Sequence, residues 1–406
     1  MKKRFVGFGF GPIQTGLFLW EAMASGNFDD YLVAEVDQRI VDAVRRAGNR
    51  VTINVAGRDG VRHVTLDGLR ICNPGVDEDR AEIVRGIAEA EELATAIPSV
   101  SLYAAGGKSS IAALLAEGID PDRPRIVYTA ENNNFAAELL GAEVALRAPA
   151  ARLARLQLLN TVIGKMSGVI SSPEEMRELG LEPLAAGFDR CVLVEEFNRI
   201  LISRIRLPGF RRGIDVFEEK DDLLPFEEAK LFGHNAVHAL LGFLAQRRGL
   251  EAMSAIRDDP WLLAAGRRAF IEESGAALVA KHGRGGDALF TADGWRAYAE
   301  DLLARMTNPW LRDRVERVIR DPRRKLAWGD RFFGTMRECL RQGIEPRTMA
   351  SGAAAAVDRT TREETGRPAD ADAVRTFLPE LWKGEPDDGL QGECLRLVER
   401  ALGELP

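Results

Sequence analysis

A chain of 406 residues, 46% apolar and 29% charged, is long enough for two sizeable domains and has the composition of an ordinary soluble globular protein. A net charge of -7 provides no field to gather nucleic acid or an anionic membrane, and no apolar run is long enough to cross a bilayer. The four cysteines (Cys72, Cys191, Cys339 and Cys394) are scattered without a Cys-x-x-Cys pair, so neither a zinc ribbon nor a disulfide framework is expected, and a reducing cytoplasm fits best.

Met1-Lys-Lys-Arg4 has the charge of a leader's first segment, but the run after it is short, glycine-rich and broken by Pro12. Arg4-Phe-Val-Gly-Phe-Gly-Phe-Gly-Pro-Ile-Gln-Thr-Gly-Leu-Phe-Leu19 instead reads as a strand, a glycine turn and a helix. Gly7 and Gly9 are expected to make the turn and admit a pyrophosphate at the helix N-terminus, with Gly11, Pro12 and Ile13 beside it. Pro12 holds the place of the third glycine of G-x-G-x-x-G, so the turn alone does not specify a dinucleotide. Tyr31-Leu-Val-Ala-Glu-Val-Asp37 supplies the second part of such a unit, an apolar strand ending in acids. Glu35, with Val36 beside it and Asp37 as second choice, is expected to accept from the adenosine ribose, and its charge favours NAD over NADP. A solvated strand end is the plain alternative.

Val51 to Ala56 reads as a further strand and Ala81 to Ala94 as a helix. Leu93-Ala-Thr-Ala-Ile-Pro98 overlaps that helix as a strand running to the cofactor, with Thr95 and Ala96 in contact. After a helix from Ile111 to Leu115, Pro124-Arg-Ile-Val-Tyr-Thr-Ala-Glu-Asn-Asn-Asn134 opens a strand into three asparagines. Open α/β sheets keep their ligands at the C-terminal strand ends, so Asn132 is placed to donate to a substrate oxygen. Turn formation and capping would equally use asparagine there. The βαβα rhythm ends near residue 190, giving an α/β chain with a Rossmann-type dinucleotide-binding domain over 1–190 and a mainly helical domain over 191–406.

In that second half Pro225 to Gln246, Asp259 to Lys281, Ala292 to Met306 and Leu311 to Arg320 show helical periodicity, and Ser351 to Val357 is a small-residue helical segment. The first of these organises the chain. At 100° per residue Asn235 lies about 140° round from Lys230, His238 about 80° and His234 about 40°, so all four share one arc. Oxidising a secondary alcohol needs a base for its proton and donors for the alkoxide-like oxygen. Lys230, its pKa lowered by burial and nearby positive charge, can be that base, with Asn235 the donor and His238 orienting lysine or substrate. A core helix with a snorkelling lysine and a satisfied histidine is the bland alternative. His234 and His238 also have zinc-binding spacing, but Asn-Ala-Val between them lacks the Glu of His-Glu-x-x-His, and no metal is expected. The charged run Arg312 to Lys325 is a solvated face from which two residues need turn inward to bind phosphate or polyol.

The residues resemble a known family, the polyol-specific long-chain dehydrogenases, which comprise mannitol dehydrogenases and mannitol-1-phosphate 5-dehydrogenases. The resemblance is carried by Val33-Ala-Glu-Val-Asp-Gln38, Ala130-Glu-Asn132, Lys230-x4-Asn235-x2-His238, Glu272-Glu-Ser-Gly-Ala276, the run from Asn308 through Arg317, Asp321 to Leu326, and Gly329-Asp-Arg331. It implies a metal-independent oxidoreductase, cytoplasmic, monomeric or a small homo-oligomer, passing hydride between a polyol and NAD in a cleft between the domains. By position Lys230 would be the base, Asn132 and Asn235 the pair stabilising the oxyanion, and His238 the residue holding substrate or lysine. Arg317 and Lys325 would contact the substrate's hydroxyl chain, with His234 and Lys165 beside them. The phosphate-acting branch looks nearer. Two departures stand out: Ile163-Gly-Lys-Met166 puts Gly164 where members carry a substrate-binding Asp, and His234 replaces a different residue. Rival readings are a dehydrogenase of a hydroxy acid, of the 6-phosphogluconate type, and a non-catalytic NAD-binding protein on the same scaffold.

Overall fold

Phe5 and Val6 are neighbours in the first strand, and both are fully buried in the computed structural model, which describes residues 3–386 and 388–405. Alternation sends Phe5 into one apolar layer with Phe18, Val33 and Tyr128, and Val6 into another with Leu32, Leu93 and Val127. A strand buried on both faces is the mark of a parallel sheet covered on each side.

The strands in chain order are β1 (Arg4–Phe8), β2 (Asp30–Ala34), β3 (Val51–Ala56), β4 (Val61–Leu66), β5 (Leu69–Cys72) and β6 (Glu92–Thr95). They continue with β7 (Arg125–Thr129), β8 (Leu156–Val162), β9 (Ser167–Ile170), β10 (Cys191–Glu195), β11 (Leu201–Ser203) and β12 (Glu218–Lys220). Eight form one sheet in the order β12-β11-β8-β7-β6-β1-β2-β5, parallel from β8 through β5. This is the open parallel sheet expected of a Rossmann-type domain. The strand expected over Val51 to Ala56 forms, but it joins a separate four-stranded sheet, β4-β3-β10-β9.

The compact units divide at Leu223/Leu224, later than the boundary expected near 190. The reason is hydrogen bonding. β10 pairs with β3, and β11 and β12 extend the large sheet, so residues 191–220 belong to the N-terminal unit. Buried Glu92 ties the segment further by accepting from Tyr128 Oη (2.8 Å) and from the backbone N–H of Gly213. The helix expected over Ala81 to Ala94 lies earlier, at Asp77–Glu89, because Glu92–Thr95 is drawn into the sheet between β1 and β7.

The C-terminal unit, Leu224–Pro406, is helical among its described residues. The helix expected from Pro225 to Gln246 is continuous but changes winding, with a π segment over Ala229–Asn235 between α segments Leu224–Glu228 and Ala236–Arg247. The next repeats the device, with Arg268–Gly275 π-wound between Pro260–Arg267 and Ala276–His282. Side chains from elsewhere take carbonyls in both stretches: Thr335 Oγ1 donates to Phe232 O (3.1 Å) and Trp295 Nε1 to Phe270 O (2.8 Å). Ala292–Met306 is helical as expected. The helix expected from Leu311 to Arg320 is broken, because Arg312 takes a left-handed backbone (φ 49°) and only Val315–Ile319 is helical. The small-residue segment lies inside the long helix Arg347–Thr365, where a Cβ on Gly352 would come within 2.5 Å of Leu240. Buried Glu273 caps that helix, accepting from Thr348 N (2.7 Å) and Met349 N (2.9 Å).

Candidate active site

The N-terminal unit holds a cavity of about 700 Å³ lined by the glycine turn, the end of β2 and the segment after β6. Gly9, Gly11, Pro12, Ile13, Glu35, Val36 and Ala96 all face it. Gly9 sits at φ 85°, where a Cβ would come 2.7 Å from Ala96 O, so the turn requires glycine for its conformation and its space. Gly7 and Thr95, contrary to expectation, do not line the cavity. Gly7 lies within β1, and a Cβ there would stand 2.1 Å from Gln14 Nε2, so it serves packing rather than the cavity wall. Thr95 is buried with its hydroxyl donating to Glu131 Oε2 (2.8 Å).

Glu35 and Asp37 separate clearly. Glu35 lines the cavity, accepts from Asp37 N (2.7 Å), and has its pKa raised, burial outweighing its backbone donors. Asp37 caps the helix Gln38–Arg46 and pairs with Arg39 (2.7 Å). The segment from Leu102 to Ile111 completes the wall with Gly106, Ser109 and Ser110, and Ser109 Oγ donates to Pro74 O (2.6 Å). Sequence reasoning passed over that wall, although Gly106 and Gly107, both at positive φ, signalled a turn there. It also passed over Glu131, whose buried carboxylate gathers Thr95, Ile97 N (3.0 Å) and Tyr103. A volume of this size suits a small-molecule ligand, and the glycine turn with an acid on the wall is the donor and acceptor set that a dinucleotide asks for.

In the C-terminal unit the π segment changes the wheel argument. On α geometry Lys230 and Asn235 are about 140° apart, whereas π winding bonds residues five apart and turns them toward one face. Lys230 is lowered to about 8, first by burial and then by the positive charge of Arg331, against a weaker opposing pull from Glu227. His234 is buried and held well below the usual imidazole range, by burial first and then by His238, Arg305, Lys230 and Arg331, so it is neutral. Its ring centroid lies 6.2 Å from that of His238. Among the described residues no three His, Cys, Asp or Glu side chains gather as a metal site.

Lys325 is buried, donates to Arg320 O, and is also lowered to about 8, by burial and then by Arg331 and Arg324. Arg331 therefore acts on Lys230, His234 and Lys325 alike, and places them in one cationic neighbourhood. Its own guanidinium donates to Asp330 Oδ1 (2.6 Å). In the sequence Arg331 is only the end of the block Gly329-Asp-Arg331, since no local pattern announces a charge that acts across helices. Arg317 is drawn to Asp313 (2.8 Å), an acid the sequence did not single out.

Asn132 and Lys165 lie in the N-terminal unit. Asn132 is exposed in the loop after β7, where Asn133 performs the turn role by accepting from Phe135 N (2.8 Å). Lys165, expected at the substrate, is instead buried, donates to Phe197 O (2.8 Å) and lies 5.0 Å from the centroid of the Trp20 ring. Its ammonium thus ties its own loop to that of Phe197 and to the helix Trp20–Ser25 of the same unit.

Residues 222–381 match the model of the mannitol dehydrogenase C-terminal domain. The chain is 30% identical over 420 residues to the mannitol-1-phosphate 5-dehydrogenase of Pseudarthrobacter chlorophenolicus, covering 98% of each protein. It is 29% identical to that of Brevibacillus brevis, over 87% of this chain and 85% of the relative. The fold is that of Pseudomonas fluorescens mannitol 2-dehydrogenase, solved as a ternary complex with NAD and D-mannitol (TM-score 0.70, 16% identity, 100% of this chain and 92% of that one). It is also that of a D-sorbitol dehydrogenase in substrate-free form (TM-score 0.78, 12% identity, 100% and 95%). With Lys230, Asn235 and His238 on a partly π-wound helix inside the matched domain, and a relative at this identity along nearly its whole length, the chain belongs to the mannitol dehydrogenase family.

Proposed function

We propose that this chain is an NAD-dependent dehydrogenase that interconverts a polyol phosphate and the corresponding ketose phosphate, without a metal, using Lys230 as general base. Family membership makes it a polyol oxidoreductase. The observation that carries the finer reading is Lys230 itself, lowered to about 8 beside Arg331 and on the same π turn as Asn235. About one lysine in ten is then neutral at pH 7 and half at pH 8, enough to accept a hydroxyl proton.

In the oxidative direction neutral Lys230 takes the proton of a secondary hydroxyl as the carbon gives up hydride. NAD, when bound, supplies the hydride acceptor, and the glycine turn with Glu35 is the part of this chain proposed to hold it. Asn235, on the same π turn, donates to the oxygen as negative charge builds on it. In reverse, the Lys230 ammonium returns the proton to the carbonyl oxygen. Arg331 and Lys325 recognise the phosphate, since a dianion offsets the positive charge of Arg331 that, after burial, lowers both lysines. The names of the two curated relatives support a phosphorylated substrate.

The test is NADH oxidation with a panel of ketose phosphates, free ketoses and keto acids, with and without chelator. Turnover of a ketose phosphate that survives chelation is expected. Turnover confined to keto acids, or abolished by chelator, would overturn the proposal.

A further inference from the structure

Asp313 is 7% exposed and sits in the bend between the turn Pro309–Leu311 and the short helix Val315–Ile319. Its two oxygens face two different residues of the candidate site. Oδ2 stands 3.0 Å from His238 Nε2, and Oδ1 accepts from Arg317 Nε at 2.8 Å. The bend is pinned from both sides: Met253 N donates to Asp313 O and Val315 N to Glu251 O, each at 2.9 Å, and Arg314 pairs with Ala252 in an antiparallel bridge. The left-handed backbone at Arg312 interrupts what the sequence reads as a helix and leaves the acid in a pinned bend. His238 Nε2 and Asp313 Oδ2 are both shut off from solvent, and neither has another hydrogen-bond partner. Their approach is close but bent from a straight hydrogen bond, and such contacts commonly straighten as a substrate seats.

A buried carboxylate beside one ring nitrogen decides which nitrogen carries the proton. We propose that Asp313 is a positioning residue that keeps the proton of His238 on Nε2, so that Nδ1 is an acceptor for a substrate hydroxyl, while the same carboxylate fixes the reach of Arg317. One carboxylate would then align two polar contacts to the hydroxyl chain. The kinetic consequence rests on the polyol dehydrogenase reading above, whereas the tautomer does not.

The experiment is ¹⁵N NMR of the imidazoles at neutral pH, tractable because the chain has four histidines, with His238 assigned by its loss in His238→Asn. The expected result is Nε2–H with a bare Nδ1 in the wild type. Asp313→Asn, which can offer an N–H in place of the carboxylate oxygen, should shift His238 toward Nδ1–H. It should also raise the KM for the polyol substrate by roughly tenfold with a smaller change in kcat and none in the KM for NAD. Asp313→Glu, keeping the charge, should restore part of the loss. A wild-type His238 protonated on Nδ1, singly or doubly, overturns the proposal, and that measurement does not depend on any Asp313 variant folding. So does an Asp313→Asn protein with an unchanged tautomer and an unchanged KM. Should no alcohol or ketone turn over while the tautomer still follows Asp313, the dehydrogenase reading fails and the positioning role stands.

Discussion

Arg331 stands close enough to Lys230 for its fixed charge to oppose protonation of the lysine, and it is itself held by Asp330 at 2.6 Å. An ammonium gains nothing from a second cation, so this neighbour shifts the balance toward the neutral amine that a proton acceptor must be.

Replacing Arg331 by Gln removes the repulsion, so Lys230 binds its proton more tightly and the neutral form appears only at higher pH. The acid limb of kcat/KM for polyol oxidation should move up by roughly 0.5–1 pH unit. A pH–rate profile of Arg331→Gln against wild type checks this, and an unmoved limb would assign it to another group. Lys230→Ala should remove the limb and nearly all turnover.

Glu35 faces the cavity while Asp37 is spent on Arg39 and a helix cap. Glu35→Gln should therefore weaken NAD binding by about 1–2 kcal/mol and narrow its advantage over NADP. Asp37→Asn should leave both nearly unchanged. Titration calorimetry with the two dinucleotides distinguishes the sites.

The glycines of the turn should behave differently. Gly7→Ala sets a methyl against the Gln14 carboxamide at 2.1 Å and should cost about 1–3 kcal/mol of stability. Gly11→Ala meets nothing within 4 Å and should leave the melting temperature unchanged. Combining Gly7→Ala with Gln14→Ala should cost less than the sum of the single changes, as required if the two positions share the space.

Gln14 is fully buried, with both amide atoms lacking a hydrogen-bond partner. Exchange for Met keeps the length and removes the desolvated polar group, so Gln14→Met should raise stability by about 1 kcal/mol in thermal melts. A fall would show that a water satisfies the amide.

Glu273 accepts two backbone N–H groups at the start of the helix Arg347–Thr365 from inside the core. Glu273→Ala leaves both donors buried and unpaired, a loss of about 2–4 kcal/mol measurable by denaturant unfolding.

Much of this was legible in one dimension. Phe5 and Val6 in an unbroken apolar strand, Gly9 before a helix, and Glu35 at the end of the next strand are consecutive in sequence and meet their obligations locally. The chain by itself therefore determined the parallel sheet, the glycine-turn and Glu35 side of the N-terminal cavity, and the helix bearing Lys230, Asn235 and His238. It did not determine the winding of that helix over Ala229–Asn235, the bend at Arg312, or the partners Arg331, Asp313 and Glu131. Those depend on residues far apart in sequence: Thr335 takes the carbonyl of Phe232, and Asp313 stands 3.0 Å from the side chain of His238. Propensity and periodicity record what each residue asks of its near neighbours. The lowered pKa of Lys230, set first by burial and then by Arg331, and the π turn both depend on packing between segments far apart in the chain, and only tertiary structure fixes that.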